Sequence, residues 1–343
     1  MKAIALTKTG KSAEVFEVVE RELSSPRKGE MLVDVATFGL NYADVMARNG
    51  LYNDTPPLPA VLGYEVVGTV KKLGEGVKEF NVGDRVVSLT RFGGYAQQAI
   101  VDERATVKVP DSIDNATATA LATQYITAYY CGIMLANFQE GENVLIHAAA
   151  GGVGTALTQL AKWRKCTVWG TAGSDEKLDY LKENGVDYPI NYRKQDFESV
   201  IQEQLGEPKI NAIFDPIGGK YFKKGKRLLS QGGRFVIYGV STWSHKKGTL
   251  LDKLKLAWDF GLLHPLGLLL KSQSVMGVNM LKVGDARPET IKHCMQEVVK
   301  LTEQGVLKPH VGKMFLATEI AQAHDYLESR ASTGKVAVNW EEA

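Results

Sequence analysis

From residue 143 to about 278 the sequence alternates short apolar runs with stretches of helical length, and few architectures accept that rhythm. Residues 143–147, 166–169, 186–190, 211–215, 234–238 and 275–278 read as buried strands. Residues 155–163, 175–184, 196–205 and 220–229 read as the helices that separate them. A helix of that length between two strands returns the chain in the same direction, so the strands pair in parallel. The pattern specifies an α/β fold, a doubly wound parallel sheet with helices on both faces.

The turn after the first of these strands reads His147-Ala148-Ala149-Ala150-Gly151-Gly152-Val153-Gly154. Set against G-x-G-x-x-G, it has Ala149, Gly151 and Gly154 at the three positions. Gly151 lets the backbone approach a pyrophosphate, and Gly154 lets the helix pack close to the strand. The helix N-terminus then turns its free N–H groups on the anion. In a strand–turn–helix at the head of a β/α series, this points to a dinucleotide. An NAD site usually carries an acid about 20 residues on, at the end of the second strand, for the ribose 2′-OH. Here Gly170-Thr171-Ala172-Gly173-Ser174-Asp175-Glu176-Lys177 ends the strand in small residues. The Ser174 hydroxyl and the Lys177 ammonium suit a 2′-phosphate. Asp175 and Glu176 fall where the first turn of any helix favours acids. NADPH is therefore the expected cofactor.

The rest of the chain has another rhythm. Residues 1–123 give short β-branched runs bounded by Gly, Asp or Pro, such as MLVDVATFGL, EVVGTVKKLG and DRVVSLT. These suggest a mostly antiparallel, barrel-like module. Beyond about residue 282 a helix over 289–304 precedes strand-like pieces ending in Gly334-Lys335-Val336-Ala337-Val338. Residues 1–123 and 283–343 thus form one expected domain and 124–282 a second inserted into it, with the reactive cleft expected between them. A formal net charge of +2 argues against a nucleic-acid partner. Cys131, Cys166 and Cys294 form neither a disulfide framework nor a C-x-x-C clip, which fits a cytoplasmic location. The charged N-terminal run lacks the apolar core of a signal peptide. The run 250–270, LLDKLKLAWDFGLLHPLGLLL, is apolar but holds Asp252, Lys253, Lys255, Asp259 and Pro265. A spanning helix needs about 20 mostly uncharged residues, so a half-buried or surface-lying amphipathic helix is open instead, covering the cleft or the dimer edge or making peripheral membrane contact.

Several short motifs occur together: Phe38-Gly39-Leu40-Asn41-Tyr42-Ala43-Asp44, Arg48-Asn49-Gly50-Leu51-Tyr52, Gly63-Tyr64-Glu65 and Val82-Gly83-Asp84-Arg85-Val86. They continue through Gly93-Gly94-Tyr95-Ala96, the AAGGVG turn, Gly173-Ser174 with Lys177, and Ile190-Asn191-Tyr192, to Leu327-Glu328-Ser329-Arg330 and Gly334-Lys335-Val336. As a set, along nearly the whole chain, they resemble the zinc-independent quinone oxidoreductase branch of the medium-chain dehydrogenase/reductase superfamily. The run 250–270 with Val275-Met276-Gly277-Val278-Asn279 looks like the VAT-1 subgroup. The resemblance implies a GroES-like catalytic domain, a Rossmann domain and a homodimer joined edge to edge near Val275. It implies that Asn41 meets the nicotinamide end and that Thr127 and the turn Ala150, Gly151, Gly152, Val153 and Gly154 hold the cofactor. It places Gly173, Ser174, Lys177, Tyr192 and Arg330 around the 2′-phosphate. Backbone near Asp215, Ile217, Tyr238 and Gly239 would line adenosine and nicotinamide. A tyrosine that the family often carries two residues after the Asp44 position is Met46 here.

Zinc-dependent relatives take a Cys, the His of G-H-E and a further Cys or acid as ligands. The first position is Asn41 and the second Tyr64, and an amide and a phenol are poor zinc ligands. The Cys-rich lobe that would follow about residue 90 is missing. His147, His245, His264, His293, His310 and His324 show no ligand spacing. No metal is expected, and a zinc alcohol dehydrogenase is disfavoured. Without a Lewis acid the accessible chemistry is hydride transfer from NADPH to a quinone or α,β-unsaturated carbonyl, which needs positioning and a hydrogen-bond donor. In related enoyl reductases the tyrosine of Gly-x-Tyr, here Tyr52, is implicated as proton donor. Tyr52 and Asn41 are the candidate catalytic residues, with Tyr64 third. Asp44 is expected to orient Asn41 or the helix start, and Arg48 to pair with Asp44 at the i,i+4 spacing. The alternative is an NADPH-binding VAT-1-like protein acting at membranes or on lipids.

Overall fold

A computed structural model describes residues 1–207, 209–242, 254–255, 258–261 and 263–340. The expected surface helix over 250–270 thus lies partly outside the described residues, as does His245. Two compact units are present, Met1–Ile126 with Leu281–Ala343, and Thr127–Met280. The sequence reading placed the breaks after residues 123 and 282.

The first unit holds β1 (Lys2–Leu6), β2 (Phe16–Glu20), β3 (Glu30–Leu40), β4 (Ala60–Val61), β5 (Glu65–Leu73), β6 (Arg85–Leu89), β7 (Gln98–Asp102) and β8 (Thr106–Lys108). Strands β15 (Val311–Leu316) and β16 (Lys335–Asn339) return to it from the C-terminal segment. The larger sheet runs β15-β16-β3-β5-β6-β8, with β7 also paired to β3. Strand β3 alternates buried and more exposed residues up to Val35, as a sheet with one wet face does. Its last four residues are all buried, so the strand enters the interior just before Asn41. Phe38, Leu40, Val66, Val86, Tyr95, Val336 and Val338 belong to one core there.

The second unit holds β9 (Asn143–Ile146), β10 (Thr167–Ala172), β11 (Tyr188–Asn191), β12 (Ile210–Asp215), β13 (Leu229–Ile237) and β14 (Ser274–Gly277). They lie in the order β11-β10-β9-β12-β13-β14, each parallel to its neighbours. Counted within the unit this is 3-2-1-4-5-6, the doubly wound dinucleotide-binding order, with its switch point at β9 and β12. Val144, Leu145 and Ile146 are fully buried because helices cover both faces. The first helix begins at Gly152 rather than Thr155, since the glycine turn itself supplies the first helical turn.

One stretch escaped the sequence reading. Asn115–Ala120 is an α-helix capped by Asp114, and Leu121–Tyr125 continues it as a π-helix. Ala118, Thr119, Ala120, Leu121, Ala122, Gln124 and Tyr125 are all buried. A helix buried all round has no apolar stripe, so no 3.6-residue period marks it.

Phe214 on β12 is fully buried, its ring 5.3 Å from that of Phe138. Phe214→Ala is expected to cost about 3–5 kcal/mol of stability, read from the urea midpoint at unchanged slope.

Candidate active site

In the first unit the end of β3, the start of β5 and the start of β16 converge on a buried ion pair. Glu65 and Lys335 are both fully buried and paired. Lys335 Nζ also donates to the Leu40 carbonyl at 3.1 Å and to Asn41 Oδ1 at 3.2 Å. Asn41 Nδ2 donates to Glu65 Oε1 and Oε2 at 2.9 and 2.8 Å, and the Thr123 hydroxyl donates to Oε2. A lone buried charge would cost several kcal/mol, and this set of partners offsets it. Lysine on one side and carboxylate on the other also fix which way the Asn41 amide points. The two oxygens of one carboxylate lie too close together to take both diverging N–H bonds of an amide. One N–H therefore serves both oxygens, and among the described residues no acceptor meets the second.

Asn41 caps the helix Tyr42–Arg48, and Asp44 Oδ2 accepts from the Asn41 backbone N–H at 2.8 Å. Asp44 thus orients the helix start, as expected. Its carboxyl is raised to about 7, chiefly by burial, with the Asn41 N–H acting against that shift and the Glu65 charge adding to it. The expected Asp44–Arg48 pair does not form. Arg48 turns instead to Glu328, with Asp325 at 3.5 Å, because the helix Ile320–Glu328 packs on its own.

Tyr64 lies against Phe92 and Tyr52, with ring centroids 5.2 and 6.3 Å away and the Tyr52 ring edge-on at 80°. Its hydroxyl is buried without a hydrogen-bond partner. Burial and the Asp44 charge hold the phenol in its protonated form, and burial raises Tyr52 as well. Tyr52 is only partly buried. Arg330 also lies in this unit, exposed just past the helix Ile320–Glu328.

In the second unit the residues expected to hold the cofactor gather at the carboxyl ends of the strands. The turn Ala150-Gly151-Gly152-Val153-Gly154 follows β9, and Gly173 and Ser174 follow β10. Tyr192 follows β11, Asp215 ends β12 with Ile217 in the loop after it, and Tyr238 and Gly239 follow β13. Thr127 is buried in the helix Ile126–Tyr129. A Cβ on Gly154 would lie 2.5 Å from the Ala148 carbonyl oxygen, so only glycine lets the helix start this close to the strand. Asp215 Oδ1 accepts from the N–H groups of Ile217 and Gly218 at 2.7 and 3.0 Å, which shapes the loop after β12.

Gly173 is crowded on one side by polar groups. A Cβ there would lie 2.7 Å from Tyr192 Oη and 3.5 Å from Arg193 Nε. The Lys177 ammonium is lowered by partial burial and then by the Arg193 guanidinium. Among the described residues no carboxylate pairs with Arg193. Asp175, the acid nearest this site, is occupied: Lys194 pairs with it and Asn191 Nδ2 donates to it at 2.6 Å. The Tyr192 phenol and the Arg193 guanidinium thus flank Gly173, and Lys177 is near enough to feel the guanidinium charge. The sequence reading stopped at Tyr192 and missed Arg193, although it is the next residue. It also missed that Glu65 and Lys335 pair; the only signal was a lysine opening an otherwise apolar strand.

Two family models match the chain: an alcohol dehydrogenase GroES-like domain over residues 27–111 and a zinc-binding dehydrogenase over 152–301. The chain is 35% identical over 314 residues to the synaptic vesicle membrane protein VAT-1 homolog of Homo sapiens, covering 91% of this chain and 79% of that protein. Among solved structures, the quinone oxidoreductase of Escherichia coli complexed with NADPH is 29% identical, with a TM-score of 0.85 over 99% of this chain and 100% of that one. The CurK enoyl reductase is 27% identical, with a TM-score of 0.85 over 98% of each chain. The chain belongs to the medium-chain dehydrogenase/reductase superfamily and is an oxidoreductase. Within it, the chain falls in the VAT-1 and quinone oxidoreductase-like branch.

Lys335→Met is expected to destabilise by about 3–5 kcal/mol, because it leaves Glu65 buried without its counter-charge. The double variant Glu65→Gln with Lys335→Met should recover much of that loss, and a double-mutant cycle by urea unfolding checks it.

Proposed function

We propose that the protein is an NADPH-dependent reductase that transfers hydride to a quinone or α,β-unsaturated carbonyl without zinc. What carries the reading is the donor set at Asn41 and Tyr64. The matching family model is described as zinc-binding, but these residues do not fit that ion. The Asn41 amide is held by Glu65 and Lys335, and Tyr64 is kept a neutral phenol. Both Glu65 oxygens are engaged, and among the described residues no group of three or more His, Cys, Asp or Glu is placed to hold a metal. No step is therefore routed through zinc.

Lys177, Arg193 and Tyr192 would hold the 2′-phosphate, and the helix beginning at Gly152 would hold the pyrophosphate. Bound NADPH supplies the hydride. The free Asn41 N–H orients a carbonyl or carboxamide oxygen, Glu65 and Lys335 keep that amide in place, and Tyr52 delivers the proton. NADPH is also the ligand of the quinone oxidoreductase from Escherichia coli named above. The place of β14 at the edge of its sheet among the described residues supports a homodimer, and three buried cysteines with no disulfide among them support a reducing, cytoplasmic setting.

A steady-state screen against quinones, enones, aldehydes and alcohols tests the proposal. NADPH consumption with quinones or enones, insensitive to chelators, is the expected result; alcohol oxidation lost on chelation would overturn it. Lys177→Ala should weaken NADPH binding roughly 10- to 100-fold while leaving NADH nearly unchanged. Equal weakening of both cofactors would count against the 2′-phosphate site.

A second reading rests on the leucine-rich segment. Leu254, Trp258, Leu263, Leu266, Leu269 and Leu270 are exposed, and the helix Pro265–Lys271 buries none of its residues. Among the described residues no helix is long and apolar enough to cross a membrane. The exposed face suits peripheral contact with lipid, the indole and leucines entering the headgroup boundary beside Lys255 and Lys271. Trp258→Ser with Leu269→Ser and Leu270→Ser should abolish co-sedimentation with anionic liposomes; no binding by the unaltered protein would end this reading.

A further inference from the structure

Strand β11 ends at Asn191, and the chain turns through residues 192–196 into the helix Phe197–Leu205, which packs beside the helix Lys220–Leu228. A cavity of about 380 Å³ is lined by that turn, by Phe197 and by Lys220, Tyr221 and Lys224 of the second helix. Small-molecule sites span roughly 300–1,000 Å³, so this one has room for a compact ligand. All of its lining belongs to the second unit.

The aromatic part of the lining is fixed and neutral. The Phe197 and Tyr221 rings stack with centroids 5.5 Å apart, and Tyr192 meets Tyr221 edge-on at 6.1 Å. His147, fully buried, sets its ring edge-on to both Phe197 and Tyr221, at 4.8 and 5.1 Å. Burial lowers that imidazole to about 3, so it carries no charge. The charged part is lopsided. Arg193, Lys194, Lys220 and Lys224 line the cavity against a single carboxylate, Asp196. Lys224 pairs with Asp196 at 2.5 Å, and Lys194 pairs with Asp175 outside the lining. Among the described residues Arg193 and Lys220 pair with no carboxylate. A cation is repelled from such a place, whereas an anion gains charge-assisted hydrogen bonds from both free groups. Rings offered by Tyr192 and Tyr221 suit a flat, apolar body attached to that anion.

We propose that this cavity binds a planar organic anion, an aromatic ring bearing a sulfonate, carboxylate or phosphate, held by Lys220 and Arg193 against the tyrosines. The site is coupled to the cofactor through Arg193. That side chain lines the cavity, and its Nε also stands 3.5 Å from where a Cβ on Gly173 would lie. An anion in the cavity and the 2′-phosphate of NADPH then call on one guanidinium, so each weakens the other by the same factor. NADH has no 2′-phosphate and is indifferent to the site. The coupling, though not the site, rests on the reading of Arg193 as a 2′-phosphate ligand.

The test is calorimetric titration of the full chain with naphthalene-2-sulfonate, with the neutral naphthalene-2-sulfonamide as control. The sulfonate should bind once per chain and the sulfonamide should not. Lys220→Gln should weaken the sulfonate roughly 10-fold, and with Lys220 exposed and unpaired the variant keeps its fold. Saturating NADH should leave sulfonate binding unchanged, and saturating NADPH should weaken it roughly 5-fold. Absence of saturable binding, or binding that Lys220→Gln leaves unaltered, would overturn the proposal. Exclusion of the sulfonate by NADH would overturn it too, because the cavity would then belong to the adenosine half that both cofactors share. Lys220-dependent binding that neither cofactor alters would uphold the site and remove Arg193 from the 2′-phosphate reading alone.

Discussion

The first unit depends on one buried ion pair. Glu65 opens β5, Lys335 opens β16, and both are fully buried. They come from positions 270 residues apart in the chain. Their hydrogen bonds reach the end of β3 at Leu40, the helix cap at Asn41 and the π-helical turn at Thr123. Either charge left alone in such a place would cost several kcal/mol, so each strand end is held by the charge that the other supplies. The orientation of Asn41 follows from that pair.

In the proposed reading, the positions that hold metal ligands in zinc-dependent relatives carry neutral or internally compensated groups here. Where a thiolate and an imidazole would offer lone pairs outward, Asn41 and Tyr64 offer N–H and O–H. A site of donors suits a substrate oxygen that gains negative charge, whereas a site of acceptors suits a cation. Asp44 fits the same logic, since burial raises its carboxyl to about 7 and so favours its neutral form. The buried charges that remain are balanced within the protein.

In the second unit charge does the opposite work. Lys177 and Arg193 are left near one another around Gly173, with Asp175 withdrawn to Lys194 and Asn191. Two like charges brought near one another at the carboxyl edge of a doubly wound sheet repel, which is the second cause of the lowered Lys177 ammonium after its partial burial. The glycine is needed as much as the cations, because any side chain there would meet Tyr192 and Arg193.

The parallel sheet was legible from sequence because each of its strands is a short apolar run with a helix of fixed length after it, a local pattern. The glycine turn was legible because Gly154 answers a contact six residues away, with Ala148. The helical run through Leu121–Tyr125 was hidden, since burial on all sides erases periodicity. The expected Asp44–Arg48 pair failed because helical spacing says which residues can meet, and packing of another helix decides which do. By itself the sequence determined the order of strands and helices and the residue types at each site, through interactions within one turn or one β/α unit. Only the tertiary structure decided that Lys335 answers Glu65, that Arg193 joins Lys177, and that the Tyr64 hydroxyl is left without a partner. Each of those depends on burial and on contacts across the sheet or from one strand end to the next, which no local spacing encodes.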